Sequence, residues 1–187
     1  MFQLETQYLT GLKMIQASWR FWVPMLFFCF SFGVDQVTPP WGFVFTDWEG
    51  DPVDVIVYIP MGADKNTDIL MVIPGASRDT QRFHASWLSF AKEDTFVVVT
   101  IGARKKYFPD ELSYNAGGVV SGGGTLIKNK KWLFNVVEKV FDEVKMKHGL
   151  QTEKFHLFGH SAGGGFVHRY MLLMPNAPVV KAVAANP

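Results

Sequence analysis

Apolar residues come in short dense blocks separated by polar turns, and two spacings recur along the chain. Gly42–Thr46 (GFVFT) and Val53–Ile59 (VDVIVYI) alternate only in part, as strands near a sheet edge do, and Glu49-Gly50-Asp51-Pro52 turns the chain between them. Ile69–Ile73 (ILMVI) and Phe96–Ile101 (FVVVTI) are continuous apolar runs, the pattern of strands buried on both faces. Thr80–Lys92 predicts a helix with Phe83, Trp87, Phe90 and Ala91 inward. The spacing over Lys130–His148 predicts a second helix, with Leu133, Val136, Val137, Val140, Phe141 and Val144 on one face and Gly149 as its left-handed stop. A strand over Lys154–Phe158 comes next. Beyond it lies a helix with Val167, Tyr170, Met171 and Met174 along one side, which Pro175 ends, and then a strand over Val179–Ala185. Strands alternating with helices imply crossover connections. The fold class is therefore α/β, a mostly parallel sheet with flanking helices. Gly102–Lys128 has little periodicity and five glycines between Gly117 and Gly124, so it reads as a flexible loop.

One junction in this pattern carries chemistry. The apolar run Phe155–Phe158 stops at Gly159-His160-Ser161-Ala162-Gly163, and a helical pattern starts beyond it. Strand, sharp turn and helix are the context in which Gly-x-Ser-x-Gly forms a nucleophile elbow. Such a turn holds Ser161 in a strained conformation with its hydroxyl projecting from the sheet edge, and the flanking Gly159 and Gly163 avoid collisions across it. A serine needs a base to take its proton and donors for the oxyanion that forms when a carbonyl is attacked. The backbone N–H of Ala162 is one expected donor. The loop Pro74-Gly75-Ala76-Ser77 after the third strand supplies the other, from Ala76 with Ser77 next in line.

Length, charge and the amino terminus narrow this picture. The chain has 187 residues, 48% hydrophobic, with a formal net charge of +1. That suffices for one core, and without a Lys/Arg block it argues against nucleic acid as a partner. The glycines of the long loop match neither a phosphate loop nor a dinucleotide fingerprint. No His and carboxylate cluster has metal-ligand spacing, so neither cofactor nor metal is expected. Phe21–Val34 is an uncharged apolar run after Lys13 and Arg20, short for a membrane span. Residues 1–34 therefore read as a secretory signal, or as an uncleaved anchor through residues 21–34, with residues 35–187 as the folded domain. The expected location is secreted or periplasmic, and membrane contact is expected only through an uncleaved amino terminus. Cys29, the only cysteine, lies in that run, so disulfides and thiolate metal sites are not expected.

With Pro74-Gly75-Ala76-Ser77-Arg78 upstream, Gly159-His160-Ser161-Ala162-Gly163 resembles the α/β-hydrolase superfamily. Within it the chain is similar to the secreted esterases grouped with polyhydroxybutyrate depolymerases and feruloyl esterases. Phe108-Pro109 through Tyr114-Asn115 and the run from Phe166 to Asn186 support that comparison less specifically. The resemblance covers roughly Val53 to Pro187. It implies cleavage of carboxylic esters, in small molecules or polymers, through an acyl-serine without a cofactor.

The same resemblance exposes a gap. In this fold the acid and then the histidine come after the serine along the chain, yet no Asp, Glu or His occurs after His168. On this reading the hydrolase fold is incomplete, the acid and base lie beyond Pro187, and the 187 residues alone are nearly inactive. Missing strands would also leave a sheet edge exposed. Among upstream histidines, His84 comes after the oxyanion loop and could approach the upper edge of the sheet as a base, though a structural or solvated role is the commoner reading. His160 occupies the elbow position whose side chain generally points away, and His148 reads as a favourable cation at a helix end. Tyr114 and Asn115 could contact substrate, although packing is the commoner explanation for the tyrosine and an Asn in a glycine-rich turn needs no such role. Two other functions fit the residues: a non-catalytic binding module with a vestigial serine, and a peptidase or acyltransferase on the same elbow.

Overall fold

The computed structural model describes residues 41–187. The expected signal or anchor, Cys29 and the boundary between residues 34 and 35 lie outside the described residues.

Among the described residues six strands form one sheet: β1 (Trp41–Phe45), β2 (Val53–Tyr58), β3 (Ile69–Ile73), β4 (Val97–Gly102), β5 (Phe155–His160) and β6 (Val179–Ala185). Their order across the sheet is β1-β2-β4-β3-β5-β6. β1 and β2 are antiparallel, β2 runs antiparallel to β4, and β4, β3, β5 and β6 run parallel. The mostly parallel α/β reading holds.

The side-chain period of two sorts each strand between two cores. On β3, Ile69, Met71 and Ile73 face the larger core, and Leu70 and Val72 face the smaller. The larger core is covered by α3 (Asn135–His148) and α4 (Ala162–Leu173), which contribute Val137, Val140, Phe141, Phe166 and Tyr170. α1 (Thr80–Ala85) and α2 (Leu88–Asp94) contribute Phe83, Leu88 and Ala91 to the smaller core, and Trp87 packs there from the junction between them. Continuous apolar runs mark β3 and β4 because both faces of these strands are covered. β6 is the edge of the described sheet, with Val180 and Val183 each about half exposed.

Two expected helices are shorter or broken, each for a local reason. The helix over Thr80–Lys92 divides at Ser86. The Ser86 hydroxyl donates to the carbonyl of Phe83 (2.8 Å), the acceptor that Trp87 N–H would use in a continuous helix. Trp87 N–H turns instead to the carbonyl of His84 at 3.1 Å. The helix over Lys130–His148 starts late, since Leu133 N–H is held by the carbonyl of Gly117 (2.8 Å). A separate 3-10 turn occupies Asn129–Lys131. Gly149 closes α3 at φ +66°, as its position predicts.

Of the histidines, His148 departs from expectation and His84 takes a structural place. His148 packs against Trp41 with the rings tilted at 45° and their centroids 4.8 Å apart. Burial and then neighbouring Lys147 lower its pKa, which disfavours the cation expected at the end of α3. His84 is 2% exposed, with Nδ1 2.9 Å from the Thr100 hydroxyl and Nε2 buried without a hydrogen-bond partner among the described residues. Burial pushes its pKa down to about 4 from 6.5, so the folded state holds the neutral ring.

A depressed histidine pKa stabilises the fold above the unfolded value and ceases to do so as the pH falls. Stability should be complete above pH 6.5 and decline toward pH 4. The loss is on the order of 3 kcal/mol. Urea denaturation across that interval should show this slope, and His84→Gln should flatten it.

Candidate active site

The parallel register fixes where the chemistry falls. Ile73 on β3 pairs with Gly159 on β5, so the residues two beyond this pair meet at one edge: Gly75 on one side and Ser161 on the other. A Cβ placed on Gly75 would stand 3.6 Å from Cβ of Ser161 and 3.2 Å from the carbonyl oxygen of His160. The loop from Pro74 to Ser77 and the elbow are therefore in contact.

Ser161 sits between β5 and α4 with φ 55° and ψ −122°. A non-glycine residue there costs about 1–3 kcal/mol and persists only where its surroundings dictate it. Those surroundings are visible. A Cβ on Gly163 would lie 2.2 Å from the carbonyl oxygen of Ile73, and one on Gly159 would lie 2.1 Å from the carbonyl oxygen of Gly163. The first turn of α4 is pressed against the ends of β3 and β5. Ser161 N–H donates to the carbonyl of Ala185 (2.9 Å), which ties the elbow to β6 as well.

Ala162 opens α4, and N–H groups of a first helical turn have no acceptor within the helix. Arg78 N–H donates to the carbonyl of Gly75 (3.0 Å) and closes a turn with exposed Ala76 and Ser77 at its centre. Among the described residues no acceptor takes the N–H of Ala76 or Ser77. The N–H of Ala162 directly follows the half-buried Ser161, and the turn carrying Ala76 and Ser77 begins at Gly75 beside it.

The structure separates the expected side chains into those at the elbow and those remote from it. His160 is exposed beside Phe83, ring centroids 6.3 Å apart, toward α1. Asn115 is half-buried, near the first turn of α4 at Gly165. Tyr114 is 2% exposed and donates its hydroxyl to the carbonyl of Pro74, so it is buried against the loop from Pro74 to Ser77. His84 bonds Thr100 in the body of β4, so it is not at the upper edge where a base would act. His156 stands 4.0 Å from Asp68 at the opposite end of β5, and His168 is exposed on α4. Among the described residues no imidazole or carboxylate hydrogen-bonds the Ser161 hydroxyl.

Sequence reasoning treated Arg78 only as part of a motif. Its backbone is left-handed at φ 59°, its guanidinium lies 3.3 Å above the centre of the Tyr114 ring, and Nη1 donates to the carbonyl of Ala103 (2.9 Å). Burial lowers its pKa, opposed by Tyr114 and Asp110. A positive charge directly after the oxyanion loop was the available signal.

The strand order, the antiparallel β2 and the strand–serine–helix elbow decide the architecture. This chain has the α/β-hydrolase fold. Solved structures agree. A poly(aspartic acid) hydrolase from Sphingomonas sp. KT-1 is 37% identical at a TM-score of 0.75, over 78% of this chain and 55% of that one. The LpqC poly(3-hydroxybutyrate) depolymerase from Bordetella parapertussis is 27% identical at 0.74, over 79% and 52%. An acetyl xylan esterase from Aspergillus awamori, 16% identical at 0.56 over 76% and 50%, shares the fold. The chain spans about half the length of these structures. No family profile and no curated protein matches it.

The hydrolase elbow should show its strain and its crowding in opposite directions. Ser161→Gly should raise stability by about 1 kcal/mol, since glycine accepts positive φ freely. Gly163→Ala should lower it by about 3 kcal/mol, because its methyl group would overlap backbone that cannot move aside. Chemical denaturation of the two variants checks both signs.

Proposed function

We propose that the protein is an exported serine hydrolase that cleaves carboxylic esters, with Ser161 as nucleophile. The backbone conformation of Ser161, φ 55° between β5 and α4, carries this reading. The Ser161 hydroxyl attacks the ester carbonyl, and the N–H groups of Ala162 and Ala76, with Ser77 beside them, receive the oxyanion. The alcohol leaves, and water then releases the acyl group from the serine. The acid and base come from polypeptide after Pro187, a proposal supported by the partial coverage of the longer relatives. Export rests on the apolar run of residues 21–34, with anchoring through that run as the alternative.

The poly(aspartic acid) hydrolase and the poly(3-hydroxybutyrate) depolymerase reported above are both named for polymers, which favours a polymeric or oligomeric substrate over a small ester. One of them is named for a polymer of an amino acid, which favours amide cleavage on the same elbow as a second reading.

Removing the base of a serine hydrolase costs about 10⁶-fold in turnover. The 187-residue chain should therefore react with p-nitrophenyl acetate in a single slow acylation of Ser161. Its rate should rise about tenfold per pH unit as hydroxide replaces the base. Ser161→Ala should remove this reaction. An inflection near the ordinary histidine value of about 6.5 would mean that one of the five histidines serves as base, and would overturn the assignment of the base to a later segment. Side-by-side assays with poly(3-hydroxybutyrate) and poly(aspartic acid) oligomers separate the ester and amide readings.

A further inference from the structure

We infer that Tyr114 is a positioning residue that holds the oxyanion loop from both ends, setting the Ala76 N–H at its working distance without touching substrate. The inference rests on the serine-hydrolase reading of Ser161.

Tyr114 lies far along the chain from the loop, in the glycine-bearing segment after β4, yet it meets the loop twice. Its hydroxyl donates to the carbonyl of Pro74, the residue before Gly75-Ala76-Ser77. Its ring face carries the guanidinium of Arg78, the residue after them, 3.3 Å from the ring centre. The turn is strung between these contacts. At its far end Arg78 is left-handed and tied to Ala103 through Nη1 at 2.9 Å.

The hydroxyl contact falls where the backbone has few other restraints. Proline has a fixed φ and no N–H, so the carbonyl of Pro74 is the group through which the orientation of the next peptide can be held. Gly75 comes next, the residue type with the widest backbone freedom. The carbonyl of the peptide that bears Ala76 N–H accepts from Arg78 N–H (3.0 Å), so without a bond at Pro74 the closed turn would swing about Gly75 as a unit and carry Ala76 N–H with it. Oxyanion donors must stand 2.7–3.1 Å from the developing charge. A misplacement of about 1 Å costs on the order of 10²-fold in rate.

Tyr114 is itself well fixed. Its N–H donates to the carbonyl of Asp110 (3.2 Å), and its carbonyl accepts from Gly117 N–H (2.8 Å). Its ring packs on Phe166 of α4 with centroids 6.2 Å apart. The same side chain therefore touches the helix that carries the Ala162 donor and the loop that carries the Ala76 donor. Burial pushes the phenol pKa up, so the hydroxyl remains a neutral donor across the working pH range.

Benzeneboronic acid tests this on the 187-residue chain. Boron accepts a lone pair from the Ser161 oxygen, the serine proton leaves to solvent, and the tetrahedral boronate becomes an anion with an oxygen directed at the oxyanion donors. Binding is monitored by ¹⁵N–¹H NMR. In the wild type the adduct should move the Ala76 and Ala162 amide protons downfield, and Ser161→Ala should form none. Tyr114→Phe keeps the ring beneath Arg78 and removes only the hydroxyl. It should weaken the adduct about tenfold and lose the Ala76 shift while keeping the Ala162 shift. A purely structural tyrosine would lower the melting temperature and leave the Ala76 shift in place, which would overturn the inference. If Tyr114→Phe does not fold, Arg78→Lys tests the other end of the clamp, and undiminished boronate affinity there would equally overturn it. A wild-type chain that forms no adduct at Ser161 would overturn the hydrolase reading, and this inference with it.

Discussion

The first turn of α4 lies so close to the ends of β3 and β5 that neither Gly159 nor Gly163 has room for a methyl group. The geometry of the candidate site derives from that approach. The chain must reverse within one residue between strand and helix, and Ser161 takes the positive φ that the reversal demands. The same crowding brings the unpaired donors of a helix start to the side of the serine. Because β3 and β5 are parallel neighbours with Ile73 opposite Gly159, the loop after β3 arrives beside the elbow without any further device. Pairing register thus does the work that a binding loop does in less constrained sites.

A strained turn persists only if the surrounding structure yields less than the turn does. Here it is held on three sides. Ser161 N–H is bonded to the end of β6, α4 is buried along Phe166, Val167 and Tyr170, and the oxyanion loop is backed by Tyr114 and Arg78. The opposite face of the sheet carries a second such constraint in His84, kept neutral in a small core where its Nε2 finds no partner among the described residues. The fold therefore tolerates two unfavourable local states, one at Ser161 and one remote from it.

How much of this could be read from residues alone depended on whether the signal was local. The elbow was legible because an apolar strand, a Gly-x-Ser-x-Gly turn and a helical pattern are contiguous. β3 and β4 were legible as uninterrupted apolar runs, and Gly149 as a stop. The insertion of β4 between β2 and β3 was not, since strand order is decided by packing between segments far apart. The break at Ser86 depends on one hydroxyl competing for one carbonyl, which periodicity does not register. From the sequence Tyr114 reads as one of the long loop's aromatics, able either to pack or to line an acyl pocket. Its actual partners, Pro74 and Arg78, are distant in sequence and visible only in three dimensions.

The account stands on Ser161 being lifted out of the turn as the single reactive hydroxyl. Prolonged treatment with an alkyl fluorophosphonate, then digestion and peptide mass spectrometry, tests this most directly. The account predicts a slow adduct confined to Ser161 that disappears in Ser161→Ala. Modification scattered over other serines, tyrosines and lysines, with Ser161 untouched, would contradict it.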